Sequence, residues 1–331
     1  MEDLYLIVEY ENNENNSCHH HIRKSLDYLI ETYNYNKISS DTLISNIQNE
    51  LYKNINVHVL IFGGVSAYVD LVKFLPKNIK LHFIIDDIHH SSKIRSYRQK
   101  VFNNSTTLFL SYGYHFARFF KQHKQTVFLP HSAAYVIPFN DNPIIKILVS
   151  GHCNKDIYPN RQLLLDLSKS DDRITYFKPD YNGYKISEKQ KSATFGIKYY
   201  ELLNKYLACV ADDSIPDRRY LVSKFFEIMA SGSLLVAFNE NTKDIFTNLG
   251  FFDNVHYISV NRENIGDKLN YIFNENNNDE ITRIRKQGQY LVHNNHMYSH
   301  RAETIHGMIT NKILKTYMID KITNTQYISF V

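Results

Sequence analysis

Short apolar runs alternate with segments of helical period along most of the chain. Leu4 to Tyr10, Val57 to Phe62, Leu81 to Ile85, Thr107 to Leu110 and Thr126 to Leu129 have the length and composition of buried strands. The patterns between them predict helices near 22–33, 41–54, from Ser66 onward and near 114–122. Such alternation implies βαβ units and a parallel sheet covered by helices on both faces. The stretch from Pro130 through Pro138 to Pro143 breaks the pattern with prolines and polar turn residues, so a domain junction is expected there. A second α/β series opens at Ile144-Ile-Lys-Ile-Leu-Val149, Asn274 to Asp279 reads as a loop between helices, and a last helical stretch is expected at about 300–322. The organisation read from this is an N-terminal domain at 1–138, a second domain at 139–312, and a segment at 313–331.

The densest chemistry lies in Lys224-Phe-Phe-Glu227-Ile-Met-Ala-Ser-Gly232, followed by the apolar run Ser233 to Phe238. A helix opening at Ser223 puts Phe225, Ile228 and Met229 on one face and Lys224, Glu227 and Ser231 on the other. Gly232 falls where a left-handed residue ends a helix, and the run after it suits a strand buried on both faces. Lys224 near a helix N-terminus, with Arg218 and Arg219 just upstream, concentrates positive charge suited to a diphosphate. Glu227, an acceptor with two oxygens, suits the adjacent hydroxyls of a ribose. An amphipathic surface helix is the competing reading of the same residues.

Other clusters have weaker signals. Leu81 to His90 is a strand ending in Asp86, Asp87, His89 and His90, and ligand sites of open parallel sheets lie at such ends. Asp87 or His89 is a candidate general base toward an acceptor hydroxyl, with helix capping as the plain alternative. Gly63-Gly64 reads as a tight turn, His131 falls on the expected hinge, and Gly151 with His152 ends the second domain's first strand. His19-His-His21 is expected in an Asn-rich loop after the first strand.

Composition narrows the choices without naming a partner. A formal net charge of +4 is far from that of a dedicated nucleic-acid binder, and no basic-aromatic groove is legible, so no nucleic acid is expected. Three cysteines without CxxC spacing suggest free thiols in a reducing, cytoplasmic setting, the host cytoplasm if the source is viral. No run approaches the length of a transmembrane helix; the basic amphipathic C-terminal stretch leaves peripheral membrane contact open.

The run from Tyr199 to Ser214, then Lys224 to Gly232, together with Val149-Ser-Gly-His152, Tyr158-Pro-Asn-Arg161 and Gly288 to Arg301, resembles the C-terminal half of GT-B glycosyltransferases. The branch it resembles is the CgeB-like, glycosyl transferases group 1 family, over about 144–308. The resemblance implies an α/β protein of two Rossmann-like, doubly wound parallel-sheet domains facing a cleft, with 313–331 crossing back toward the first. It implies a nucleotide diphosphate-sugar donor on the second domain, under a loop carrying Tyr181 and Tyr184, and a glycan or other hydroxyl acceptor on the first. No metal or other cofactor is implied. In one respect the chain departs from the family: the Glu-x7-Glu pair of its retaining enzymes would start at Arg219 if Glu227 is the second acid, so the first acid is missing. The expected function is therefore a metal-independent glycosyltransferase leaning to retention, with a silent sugar-nucleotide or glycan-binding module, or a nucleotide-sugar epimerase, as alternatives.

Overall fold

A computed structural model describes residues 3–9, 19–86, 92–120, 125–151, 153–178, 194–215, 218–311, 314–320 and 325–330. Its strands are β1 (Leu4–Glu9), β2 (Asn36–Lys37), β3 (Val57–Phe62), β4 (Ile79–Ile85), β5 (Thr107–Leu110), β6 (Thr126–Phe128), β7 (Ile144–Ser150), β8 (Ile174–Phe177), β9 (Tyr206–Asp212), β10 (Leu234–Phe238), β11 (Ile258–Val260), β12 (Leu314–Asp320) and β13 (Thr325–Phe330). The helices are α1 (His20–Tyr33), α2 (Ser40–Gln48), α3 (Ser92–Phe102), α4 (Gly113–Phe119), α5 (Pro159–Leu167), α6 (Ile197–Asn204), α7 (Ser223–Ala230), α8 (Lys243–Asn248), α9 (Ile265–Ile272), α10 (Asn278–Asn295) and α11 (Tyr298–Ile309). They form two compact units, Met1–Pro130 with Ser299–Val331, and His131–Tyr298.

Unit 1 is built on a sheet of order β2-β1-β3-β4-β5-β6-β13-β12. Every neighbouring pair is parallel except β12 with β13. Its strands are apolar on both faces because both are covered. On one side Val59, Leu81, Phe83 and Leu108 pack with Val101, Phe102 and Phe116. On the other, Ile7, Leu60, Ile84 and Phe109 pack with Ile22, Leu26 and Leu29 of α1 and with Ala302, Ile305 and Ile309 of α11.

Unit 2 has the all-parallel order β8-β7-β9-β10-β11. Ile147, Val149, Val210, Leu234 and Val236 meet Leu164 of α5, Leu269 of α9 and Ile284 of α10 on one face. In α7, Phe225, Phe226, Ile228, Met229 and Ala230 are all buried. Gly232 has φ +75°, its N–H donates to Met229 O, and all of β10 is buried, as the sequence pattern predicts. This order reverses between β7 and β9, and doubly wound sheets bind ligands at the carboxyl ends of strands at such a point.

Several expectations need correction. The chain is helical only to Ile309 and then forms β12 and β13, so the helix expected to 322 stops short. From Val65 there are only two short 3-10 turns, Val65–Tyr68 and Leu71–Lys73, after Gly63 and Gly64 at φ +84° and +55°. The helix expected at 41–54 ends at Gln48. His20 and His21 belong to α1 rather than a loop, and Ser231 is buried, its hydroxyl donating to Ile228 O, so it is not on the open face of α7.

The units divide after Pro130 and after Tyr298, where the sequence pointed to 138 and 312. Unit 2 side chains hold the intervening stretch: Tyr200 Oη accepts from Ala134 N at 2.8 Å, Gln289 Nε2 donates to Ile137 O at 2.9 Å, and Asn204 Nδ2 donates to Pro138 O at 3.0 Å.

Candidate functional site

The carboxyl end of β7 runs into Gly151 at φ +101°, a backbone that disfavours any side chain. A Cβ there would lie 2.8 Å from Lys224 Nζ and 3.2 Å from Arg161 Nη1, so two cations converge on this one turn. Lys224 reaches it from the first turn of α7 and donates to Ser150 O at 2.5 Å and Ser150 Oγ at 3.3 Å. Ser150 Oγ is also 2.7 Å from Tyr199 Oη, and Lys224 Nζ stands 5.9 Å from the Tyr199 ring centroid. Burial, and then the Arg161 guanidinium, pull the Lys224 ammonium down to about 7, against the opposing field of Glu227.

Arg161 comes from α5, with its guanidinium 3.7 Å from the Tyr158 ring centroid. Asp212, at the end of β9, fixes that helix start. Its carboxylate accepts from the backbone N–H groups of Asn160 and Arg161 at 3.2 and 3.3 Å, and from Ser214 N at 3.1 Å. Burial raises Asp212's pKa, while Arg161 and these hydrogen bonds oppose the rise. Asp213 is pushed up to about 7 by burial and by Asp212, and accepts from Asn241 N at 2.8 Å and Thr242 Oγ1 at 3.1 Å.

Glu227 lies one turn beyond Lys224, partly exposed beside it. Burial raises its carboxyl, while Lys224, His131 and a hydrogen bond from Ser223 hold it down. The segment carrying His131 is anchored next to α10 by Ala133 N donating to His296 O at 2.9 Å. The structure brings Lys224, Glu227, Ser223 and Gly151 together in unit 2, with Arg161 and Ser150 beside them, and places His131, expected on the hinge, near Glu227 in the same unit.

Of the upstream arginines, Arg219 is engaged elsewhere. Arg219 takes φ +49°, and its guanidinium donates to Asn241 O at 2.7 Å and to both oxygens of Asp244 at 2.5 and 2.6 Å. Arg218 lies 5.8 Å from the Tyr220 ring centroid. Asp87, His89, His90, His152, Tyr181 and Tyr184 lie outside the described residues. In unit 1, His19 Nε2 is 2.7 Å from Asp86 Oδ2, which joins two of the singled-out motifs. Among the described residues no group of three or more His, Cys, Asp or Glu could hold a metal ion, and no helix is long and apolar enough to cross a membrane.

Sequence reasoning gave Arg161 no role of its own, although it closes the Tyr-Pro-Asn-Arg run. It passed over Asp212 and Asp213 entirely as site-shaping groups. Their signal was a carboxylate pair at a strand end, the same signal that singled out Asp86 and Asp87.

Residues 161–307 match the glycosyl transferase-like family. No curated protein matches the chain. Among solved structures, an alpha-glucosyltransferase in complex with UDP and a 13-mer DNA containing an HMU base aligns with TM-score 0.62 at 9% identity, covering 93% of this chain and 100% of that one. HepE of Anabaena in complex with UDP-glucose gives 0.60 at 8% identity, over 93% and 100%. A glycosyltransferase from Rickettsia africae gives 0.55 at 12% identity, over 94% and 100%. The chain therefore has the GT-B fold, and over residues 161–307, which hold Arg161, Lys224 and Glu227, it carries the pattern of the glycosyl transferase-like family.

Proposed function

We propose that the chain is a glycosyltransferase that takes its sugar from a nucleotide diphosphate-sugar bound by unit 2. The observation that carries this reading is the convergence of Arg161 and Lys224 on the Gly151 turn at the strand-order reversal. Both cations and the N-terminus of α7 would meet the diphosphate, whose charge grows as the sugar departs, and charge stabilisation at a prearranged site lowers that barrier. Glu227 would accept from ribose hydroxyls, with His131 beside it. Uracil is the first base to try, because structures of this fold hold UDP or UDP-glucose. Cys153 and Cys209 are free thiols, in keeping with a cytoplasmic setting.

The reaction needs no metal in this reading. Release of UDP from a panel of UDP-sugars, with and without hydroxyl acceptors, is the direct test. Turnover lost in Lys224→Met and Arg161→Ala supports the reading, and unchanged turnover refutes it. Retention is the proposed course, on family resemblance alone. Turnover kept by an Asp87→Asn, His89→Gln double variant agrees with it. Turnover lost with donor binding intact points to inversion and a base on unit 1.

A second reading has its own support. Arg219, standing where the retaining enzymes' first acid would be, is bound to Asp244, which favours a silent donor-binding module. Donor binding without release of UDP under any condition would select it.

A further inference from the structure

Helices α3 and α4 of unit 1 enclose an open groove of about 590 Å³, lined by Arg95, Ser96, Gln99, Lys100, Arg118, Phe119 and Phe120. The sequence of α3, Ser-Lys-Ile-Arg-Ser-Tyr-Arg-Gln-Lys-Val-Phe, holds four cations and no acid, and α4 adds Arg118 with no acid. Aromatic rings stand among these charges. The Arg95 guanidinium lies 4.7 Å from the Phe119 ring centroid, Lys100 Nζ lies 5.9 Å from that of Tyr97, and Tyr97 is 38% exposed. Asp70, whose carboxyl feels the Lys100 charge, is already held by Lys73 at 2.7 Å.

We propose that this groove binds single-stranded nucleic acid, the phosphates lying along Arg95, Lys100 and Arg118 and a base stacking on Tyr97, which stands outside the groove lining with its ring centroid 5.9 Å from Lys100 Nζ. Arg95 and Lys100 are five residues apart on one helix, about 7.5 Å along its axis at 1.5 Å per residue, a spacing that serves successive charges of a polymer better than one compact oxyanion. Guanidinium groups suit phosphate oxygens, and the exposed Tyr97 ring beside Lys100 supplies the stacking face that a strand without sequence preference requires. The overall charge of +4 conceals this surface, because carboxylates elsewhere cancel it. Binding at the groove is independent of the donor site. That the strand is the sugar acceptor rests on the transferase reading.

The test is fluorescence anisotropy of the full chain, without donor, using labelled 12-mer single-stranded DNA and RNA across a salt series. Three phosphate contacts predict a slope of log K against log[salt] near −2, at about 0.7 per contact. The Lys100→Glu, Arg118→Glu double variant, with both changes on exposed side chains, is expected to bind at least about tenfold more weakly. Its melting temperature should match wild type. Tyr97→Ala is expected to weaken binding to the strand but not to polyphosphate. No binding at low salt, or unchanged binding in the double variant, overturns the proposal. Polyphosphate, heparin or duplex DNA competing as well as the strand at equal charge also overturns it, and assigns the groove to polyanions in general. UDP-glucose affinity, measured separately, reports on the donor reading and is expected to be unaffected by the double variant.

Discussion

Donor binding should be linked to one proton, and that proton belongs to Lys224. Its ammonium is pulled down to about 7 by burial and by Arg161. In the unliganded chain it is therefore about nine-tenths neutral at pH 8. A diphosphate placed against it restores the charged form, so binding at pH 8 should take up about 0.9 proton. Apparent affinity follows the protonated fraction, and Kd should weaken about eightfold between pH 7.5 and 8.5. The sign for stability runs the other way. A folded-state value below 10.5 means that the native chain binds fewer protons than the unfolded one between about pH 7 and 10.5, so this group's contribution to stability rises with pH across that window. Of its neighbours, Cys153 and Cys209 have thiols whose pKa burial raises. Glu227 is tested by Glu227→Gln, which should keep the pH slope. Titration calorimetry at pH 8 in buffers of different ionisation enthalpy reads the proton count directly. Lys224→Arg should bind with a flat pH profile. Lys224→Met should also be flat and about 10- to 100-fold weaker, the cost of losing a charge-assisted hydrogen bond. Zero proton uptake in wild type, or an eightfold pH effect surviving in Lys224→Met, would refute the reasoning.

Further outcomes follow from single positions. Gly151→Ala combines a strained φ of +101° with a Cβ 2.8 Å from Lys224 Nζ, and should cost about 1–3 kcal/mol in urea unfolding and weaken donor binding. Gly288→Ala should destabilise by about 1–3 kcal/mol despite alanine's higher helix propensity, because its Cβ would lie 2.5 Å from His256 O; a rise in stability would contradict that packing. Phe225→Ala, removing a fully buried ring 5.1 Å from Phe246, should cost about 3–5 kcal/mol by the same assay. Asp213 has its folded-state pKa raised to about 7, so wild type loses stability from this group as pH rises from about 4 to 7. The melting temperature of Asp213→Asn relative to wild type should therefore climb over that range, and a constant difference would remove Asp213 as the cause.

What the sequence revealed depended on how local the determinant was. The α7, Gly232 and β10 unit was legible because periodicity, a left-handed helix end and a two-sided apolar strand all lie within one short segment. The C-terminal end was misread because a short apolar run after Ile309 suits helix or strand, and the choice fell to pairing with β6, which is remote in sequence. At the site, nearness in sequence misled. Arg219 is close to Lys224 along the chain, yet its left-handed backbone accompanies a side chain bound to Asp244. Arg161 is remote along the chain, but the parallel pairing of β7 with β9 and the Asp212 contact at the start of α5 bring it to the same turn as Lys224. The basic groove escaped notice for a related reason: net charge averages over the chain, whereas α3 and α4 segregate cations on one surface.

The central claim is that unit 2 holds a nucleotide diphosphate-sugar through Arg161, Lys224 and Glu227. A thermal-shift panel of UDP-, GDP-, ADP- and TDP-sugars against wild type, Arg161→Ala, Lys224→Met and Glu227→Ala tests it most directly, since a ligand that binds only the native state raises its melting temperature. The account predicts a shift with one nucleotide class, lost or sharply reduced in all three variants. No shift with any of the sugars, or a shift that survives in the variants, would contradict it.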